Sequence, residues 1–275
     1  MNFILFACFI ISAQAFDFVS LEGGAALHKC RRLTADGNGV IYTASQNATN
    51  CHDPESENVL IVKCDKRRSL EEEFNTSRSI HPFRDFVYER VIDPSKPTRI
   101  CFSMKYFGLS LAKIRGNDSH DVIWPWNLVA SLGTRIVAQL QLTHESGYAH
   151  TDLHFGNVVS IQRNVSDLLS LMGSELIIID FGDAVHLEGG RHEGTRRVRS
   201  DLMQVMVALR FLVDGDRKFY VEKRYGFKPT KAMNPGEICA GAPTAYCDIL
   251  NYLYHLRENP DYGLILTLLA EIQFA

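Results

Sequence analysis

The sequence predicts an α+β chain in two regimes, a strand-rich N-terminal part followed by a helical C-terminal part. Three observations predict it. The runs Val59-Leu60-Ile61-Val62-Lys63-Cys64 and Arg99-Ile100-Cys101-Phe102-Ser103-Met104 are rich in β-branched and apolar residues and read as strands. Leu128, Leu132, Ile136 and Leu140 recur at i, i+4 steps, which is an amphipathic helical stripe. The composition, 46% apolar and 22% charged over 275 residues, is that of a globular protein with enough chain to bury a sizeable core.

The first residues stand outside that core. Phe3 to Ile11 is an unbroken apolar run, followed by Ser12-Ala13-Gln14-Ala15 with its A-x-A ending. This reads as a signal peptide over 1–15, too short to span a bilayer, with 16–275 as the mature chain. The competing reading is a buried N-terminal strand. Four N-x-S/T sequons, at Asn47, Asn75, Asn117 and Asn164, agree with export and imply a glycoprotein. Six cysteines remain after Cys8 is removed: Cys30, Cys51, Cys64, Cys101, Cys239 and Cys247. An even number suits an oxidising compartment. Cys239 and Cys247 flank a Gly/Pro-rich loop and are the expected disulfide; Cys64 and Cys101 read equally well as buried thiols in strands.

Strands are expected from about Leu33 to Gly108. Between them, Ser69-Leu70-Glu71-Glu72-Glu73 opens a helix to Ile80, with a capping hydroxyl and carboxylates in the first turn. From Trp126 onward the pattern is helical, with further helices over 201–214 and 246–257. The N-terminal part covers about 16–108 and the C-terminal part about 109–275.

Charge narrows the partners. Lys and Arg total 29 against 32 Asp and Glu, a net charge of −3. That supplies no cationic field for nucleic acid or for a membrane surface. No other apolar stretch approaches the roughly 20 residues of a membrane helix.

The chemistry lies in the middle of the chain. Residues 150–157 read His-Thr-Asp-Leu-His-Phe-Gly-Asn and lead into the strand-like Val158-Val159-Ser160-Ile161. Leu176-Ile177-Ile178-Ile179-Asp180-Phe181-Gly182 then delivers an acid from an apolar strand into a glycine turn. Phosphoryl transfer needs such a set: one carboxylate to orient an acceptor hydroxyl, and a second carboxylate with an amide oxygen to hold Mg²⁺ on the phosphates. Asp152, Asn157 and Asp180 fit those roles, with Asp152 as the orienting carboxylate and Asn157 and Asp180 as metal ligands. Upstream, strand residue Lys63 offers an ammonium for the α- and β-phosphates.

These motifs together resemble the protein kinase superfamily, most closely the casein-kinase-1-like group, over about Leu33 to Leu269. The resemblance implies a two-lobed protein-kinase-like fold that binds ATP with Mg²⁺ or Mn²⁺. Phe102 to Leu111 is similar to that group's hinge; Met104 would be the gatekeeper, and Lys105, Tyr106 and Phe107 the adenine-binding segment. His144 sits where the group carries Y-I-H, and Arg197 to Leu202 resembles its R-R-D-D-L, so Asp201 would brace the catalytic-loop backbone. Asn259-Pro260-Asp261-Tyr262 resembles part of its closing helices. The partner of Lys63 must come from Glu71, Glu72 and Glu73. At about 100° per residue Glu73 lies nearest the face of Leu70 and Phe74, so Glu73 is expected, with Asn75 facing solvent and the other two glutamates solvated.

The departures from the pattern matter. In the nucleotide loop, Thr34-Ala35-Asp36-Gly37-Asn38-Gly39, only Gly39 matches in register. Thr151 stands where many kinases have Arg, and Leu153-His154 is similar to aminoglycoside phosphotransferases and other small-molecule kinases. The stretch from Asp180 to Asp201 is short for a peptide-docking platform. Arg191 to Arg199 carries four arginines, either a solvated loop or an anion site for an acidic acceptor. The expected function is ATP-dependent phosphotransfer by a secreted or secretory-pathway protein serine/threonine kinase. Its alternatives are a small-molecule or sugar kinase and a pseudokinase binding module.

Overall fold

The computed structural model describes residues 18–35, 39–52, 56, 58–65, 69–117, 123–188, 191–214, 220–223, 226–229 and 235–274. The expected signal peptide over 1–15 and the loop residues 36–38 lie outside them. The chain divides into two compact units, Met1–Arg78 with Arg84–Tyr106, and Ser79–Phe83 with Phe107–Ala275.

In the first unit, β1 (Phe18–Leu21), β2 (Ala26–Ala35), β3 (Gly39–Ser45), β4 (Val59–Asp65), β5 (Val87–Ile92) and β6 (Ile100–Lys105) are all antiparallel. They close in the order β1-β2-β3-β4-β6-β5. This corrects the expectation of a two-lobed protein-kinase-like fold: the described residues form a closed six-stranded barrel plus helices. The physical reason is β1. It pairs with β2 through Val19↔Leu27 and with β5 through Leu21↔Val91, so it joins two strands that would otherwise be edges. Strand reading that starts near Leu33 misses β1 and most of β2.

The barrel interior is filled by Val19, Leu21, Leu27, Tyr42, Ala44, Val62, Cys64, Val91 and Cys101. Side chains alternate across a strand, so Lys63 points to the outer face between inward Val62 and Cys64. Cys64 lies directly opposite Cys101 in the β4–β6 register, and the two form a disulfide inside the barrel. A second disulfide, Cys30–Cys51, ties β2 to the short 3-10 turn Ala48–His52. Cys239 and Cys247 are free thiols, half-buried, so the disulfide expected there is absent. Cys247 Sγ donates to the Cys239 carbonyl, and burial, then the hydrogen bond with the Cys247 side chain, pushes the Cys239 thiol up to about 12.

Helix α1 (Ser69–Ser79) covers part of the outer barrel face. Lys63 and Phe102 are opposite each other in register. Glu73 of α1 lies on the first and Phe74 on the second, the Phe74 and Phe102 ring centroids being 5.6 Å apart. Glu72 is exposed as expected, but Glu71 is not simply solvated: it pairs with Arg90 of β5.

The second unit holds α2 (Leu111–Asn117), α3 (Trp126–Glu145), β7 (Tyr148–Ala149), β8 (Val158–Ser160), α4 (Leu168–Met172), β9 (Leu176–Ile178), β10 (Val185–His186), α5 (Arg191–Asp214), β11 (Tyr220–Lys223), β12 (Gly226–Pro229), α6 (Pro235–Cys239), α7 (Thr244–His255) and α8 (Tyr262–Phe274). Leu132, Ile136 and Leu140 of the α3 stripe are at most 1% exposed, and α3 packs against α5 and α8. Burial of each such side chain contributes roughly 1.5–3 kcal/mol. Gly147 follows α3 at φ +87°, a left-handed conformation that glycine adopts without a Cβ penalty. Helix α5 begins at Arg191, well before the expected 201, so the arginine-rich stretch is helical, not a loop. Arg196 and Arg197 both pair with Glu193, whose carboxyl the Arg196 hydrogen bond holds below its ordinary value. None of the helices among the described residues is long and apolar enough to cross a membrane.

Candidate functional site

The site residues of the second unit sit on the β8–β9 hairpin and on the loop between β7 and β8. The apolar runs 158–160 and 176–178 are buried and pair as Val158↔Ile178 and Ser160↔Leu176. Asn157 lies at the start of this hairpin and Asp180 just past its end. Asn157 joins the two: its Nδ2 donates to the Asp152 carbonyl at 3.1 Å, and its own carbonyl accepts the Ile179 N–H at 2.8 Å. Hydrogen bonds therefore link Asp152, Asn157 and the residue before Asp180 into one cluster. Asn157 is buried, Asp152 half-buried and Asp180 exposed.

Among the described residues two that are not glycine have left-handed backbones, Thr151 at φ 63° and Asp180 at φ 67°. Each costs on the order of 1–3 kcal/mol and persists only where the surroundings impose it. For Thr151 they do. Asp201 of α5, fully buried, accepts the His150 N–H at 2.7 Å on Oδ2 and the Thr151 N–H at 2.8 Å on Oδ1. This is the bracing expected of Asp201. Thr151 Oγ1 donates to the Asp183 carbonyl at 2.5 Å. About one helical turn beyond Asp201, Gln204 Oε1 accepts the Leu153 N–H at 2.8 Å. No sequence motif singles out Gln204; its one signal is the i+3 spacing from Asp201, which puts both on one helix face.

His150 is fully buried, and its Nε2 donates to the Ile179 carbonyl at 3.0 Å while its ring packs 5.0 Å from Phe181. Phe181 in turn packs 5.0 Å from Phe83. His154, in the small-molecule-kinase-like position, acts locally. Its Nδ1 accepts the Gly156 N–H at 2.9 Å and caps a 3-10 turn.

In the first unit, Lys63 Nζ donates to Glu73 Oε1 at 2.7 Å, the partner that helical geometry selects. Glu73 is 5% exposed, so the pair is held in a desolvated setting. Gly39 opens β3 opposite Asp65. Met104 is buried in β6, and Lys105 Nζ lies 5.5 Å from the Phe86 ring. Tyr106 is half-buried and ends this unit. Phe107, in the second unit, is buried against Phe83 with centroids 6.4 Å apart. Gly108 follows, where a Cβ would lie 2.1 Å from the Gln162 carbonyl oxygen, so only glycine fits.

Among the described residues no group of three or more His, Cys, Asp or Glu gathers as a metal site. The Asp180 carboxylate and the Asn157 amide oxygen are two hard oxygen donors. That number suits Mg²⁺, which takes few protein oxygens and completes its shell with phosphates and water. No protein-family model matches the chain, and no curated protein matches it.

Proposed function

We propose that the chain is an ATP-dependent phosphotransferase acting on a hydroxyl acceptor, as a protein serine/threonine kinase of the secretory pathway. The observation that carries the proposal is the braced loop. Asp201 and Gln204 of α5 hold 150–153 by their N–H groups, and this fixes the backbone on either side of Asp152. Strain at Thr151 and Asp180, in a motif whose residue types suit phosphoryl transfer, supports the same reading.

In this reading the Asp152 carboxylate accepts the proton of the acceptor hydroxyl as that oxygen bonds to the γ-phosphorus of ATP, the bond from that phosphorus to the bridging oxygen breaks and ADP leaves. Asn157 and Asp180 are the residues that would hold Mg²⁺, which would supply positive charge against the phosphate oxygens. Lys63, its ammonium oriented by Glu73, neutralises the α- and β-phosphates. ATP with Mg²⁺ or Mn²⁺ supplies the transferable phosphoryl group and the charge that offsets its oxygens. The two disulfides fit an oxidising compartment, and sequons Asn47, Asn75 and Asn164 are exposed, as glycan acceptors must be. Together they support secretion or residence in a secretory lumen.

A second reading has one observation in its favour. Between Asp183 and the start of α5 at Arg191 the described chain forms only the two-residue strand β10, which leaves little chain to dock a peptide. A small-molecule or sugar acceptor would need no such platform. The test is purified mature protein with labelled ATP and Mg²⁺ or Mn²⁺, offered protein and small-molecule acceptors separately. Label on serine or threonine is the expected result, and Asp152→Asn should lower it by about a hundredfold or more without weakening ATP binding. ATP binding with no transfer to either class would refute the reading and leave a binding module.

A further inference from the structure

The brace on the catalytic loop does not end at Asp201. His144, near the C-terminus of α3, places Nε2 3.0 Å from Asp201 Oδ2 and bonds through Nδ1 to the Tyr262 hydroxyl. Hydrogen-bond roles along this chain are determined by chemistry. A carboxylate only accepts, so Nε2 of His144 carries the proton and donates to Asp201. In the neutral imidazole Nδ1 then accepts, and Tyr262 donates. His144, His150 and Thr151 all donate to the Asp201 carboxylate, and a hydroxyl on α8 engages the other nitrogen of the histidine ring.

We propose that Tyr262 is a positioning residue, whose hydroxyl anchors the His144 ring at Nδ1 and through Asp201 holds the strained 150–151 backbone that presents Asp152. The effect on catalysis rests on the phosphotransferase reading above; the effect on the backbone does not. Tyr262 is itself firmly seated. It begins α8, whose preceding residue Asp261 caps the helix by accepting the Leu264 N–H at 3.0 Å, and the Asp261 N–H donates to the Tyr252 hydroxyl at 2.6 Å. Burial, then the charges of Asp201 and Glu145, keep the Tyr262 hydroxyl protonated well above the ordinary range, so it remains a donor. The helix that closes the second unit is thereby wired to the loop bearing the proposed catalytic carboxylate. Without the hydroxyl, the His144 ring is held by its Asp201 bond alone and its Nδ1 loses the Tyr262 donor.

Three measurements on the full mature chain test this. In ¹⁵N spectra of the wild type, His144 should be protonated at Nε2, with an Nδ1 resonance displaced by an accepted hydrogen bond. The opposite tautomer in the wild type overturns the proposal without any variant. Tyr262→Phe keeps the ring and removes the donor. It should return the Nδ1 resonance to an unbonded position and speed exchange of the His150 and Thr151 amides about tenfold. It should also lower kcat about tenfold while KM for ATP stays within about twofold. Thr267→Val removes a different, exposed hydroxyl from the same helix and should change none of these. Unchanged exchange and resonance in Tyr262→Phe, unchanged kcat, or equal effects in Thr267→Val would each overturn it. If resonance and exchange move as expected but the wild type transfers no phosphate, the positioning chain stands and the phosphotransferase reading fails.

Discussion

Replacing Asp201 by Asn tests the brace at its centre, and its cost can be worked from the bonds. The carboxylate is fully buried and accepts three donors: His150 N–H and His144 Nε2–H on Oδ2, Thr151 N–H on Oδ1. An amide has one oxygen. With that oxygen in the Oδ2 position two bonds survive, and the amide NH₂ faces the Thr151 N–H. With it in the Oδ1 position only one survives and two donors face the NH₂, so the first orientation is preferred. A bond to a charged acceptor contributes about 1.5–3 kcal/mol, and the two surviving bonds weaken because their acceptor is now neutral. Relief from burying a charge offsets part of this. The net loss is about 3 kcal/mol, or roughly 6–12 °C in Tm at about 2–4 °C per kcal/mol. Urea unfolding should show a lower midpoint with an unchanged slope. Hydrogen exchange gives the sharper signature: the Thr151 amide should lose more protection than the His150 amide, because only its bond is broken outright. A loss below about 1 kcal/mol, or equal deprotection of the two amides, would refute the reasoning.

The other expectations follow from the barrel and its outer face. Cys64→Ala with Cys101→Ala removes a cross-link of sequence separation 37, and loop-closure entropy puts the cost at about 4 kcal/mol, read as a fall in the urea midpoint; an unchanged midpoint would contradict it. Lys63→Met should weaken ATP binding about tenfold or more by calorimetry while leaving the braced-loop amides protected; intact affinity would remove Lys63 from phosphate binding. For Asp93, burial pushes the carboxyl up, but bonds from Ser95 and from Lys29 at 3.0 Å outweigh it and hold it below 3.8. A depressed pKa contributes stability above the ordinary value that is lost as pH falls through the folded one. The stability difference between wild type and Asp93→Asn should therefore shrink below about pH 4, and a difference that grows there would contradict the assignment.

What is legible in the sequence follows from periodicity and from local chemistry. Strands β4 and β6 and helices α1 and α3 are visible in their apolar patterns, and helical angle alone selects Glu73 over its neighbours. β1 is not legible, because four residues close behind the apolar run Phe3 to Ile11 carry too little alternation. With it goes barrel closure, which is a property of pairing partners and not of any one segment. The Cys64–Cys101 bridge requires the β4–β6 register, whereas Cys239 and Cys247 look paired only because they are near in sequence. The N-terminal turns of α5 are hidden by Gly194 and a run of arginines, two of which are arranged around Glu193. In the site, motif order locates Asp152, Asn157 and Asp180. Gln204 and Tyr262 carry no such signal of their role, since their importance lies in which distant backbone group or ring they reach.

Strand β1 has a consequence for self-association. It is four residues long, yet it satisfies the free sides of both β2 and β5. A chain trimmed beyond Leu21 would leave two unpaired edges in place of a closed ring, each with a row of exposed N–H and C=O groups that templates pairing with another chain. The refill of that gap need not come from the same molecule: the first strand of a second, untrimmed copy is the best available match. Proteolysis just beyond Leu21 would thus turn a self-contained barrel into one that recruits its neighbours.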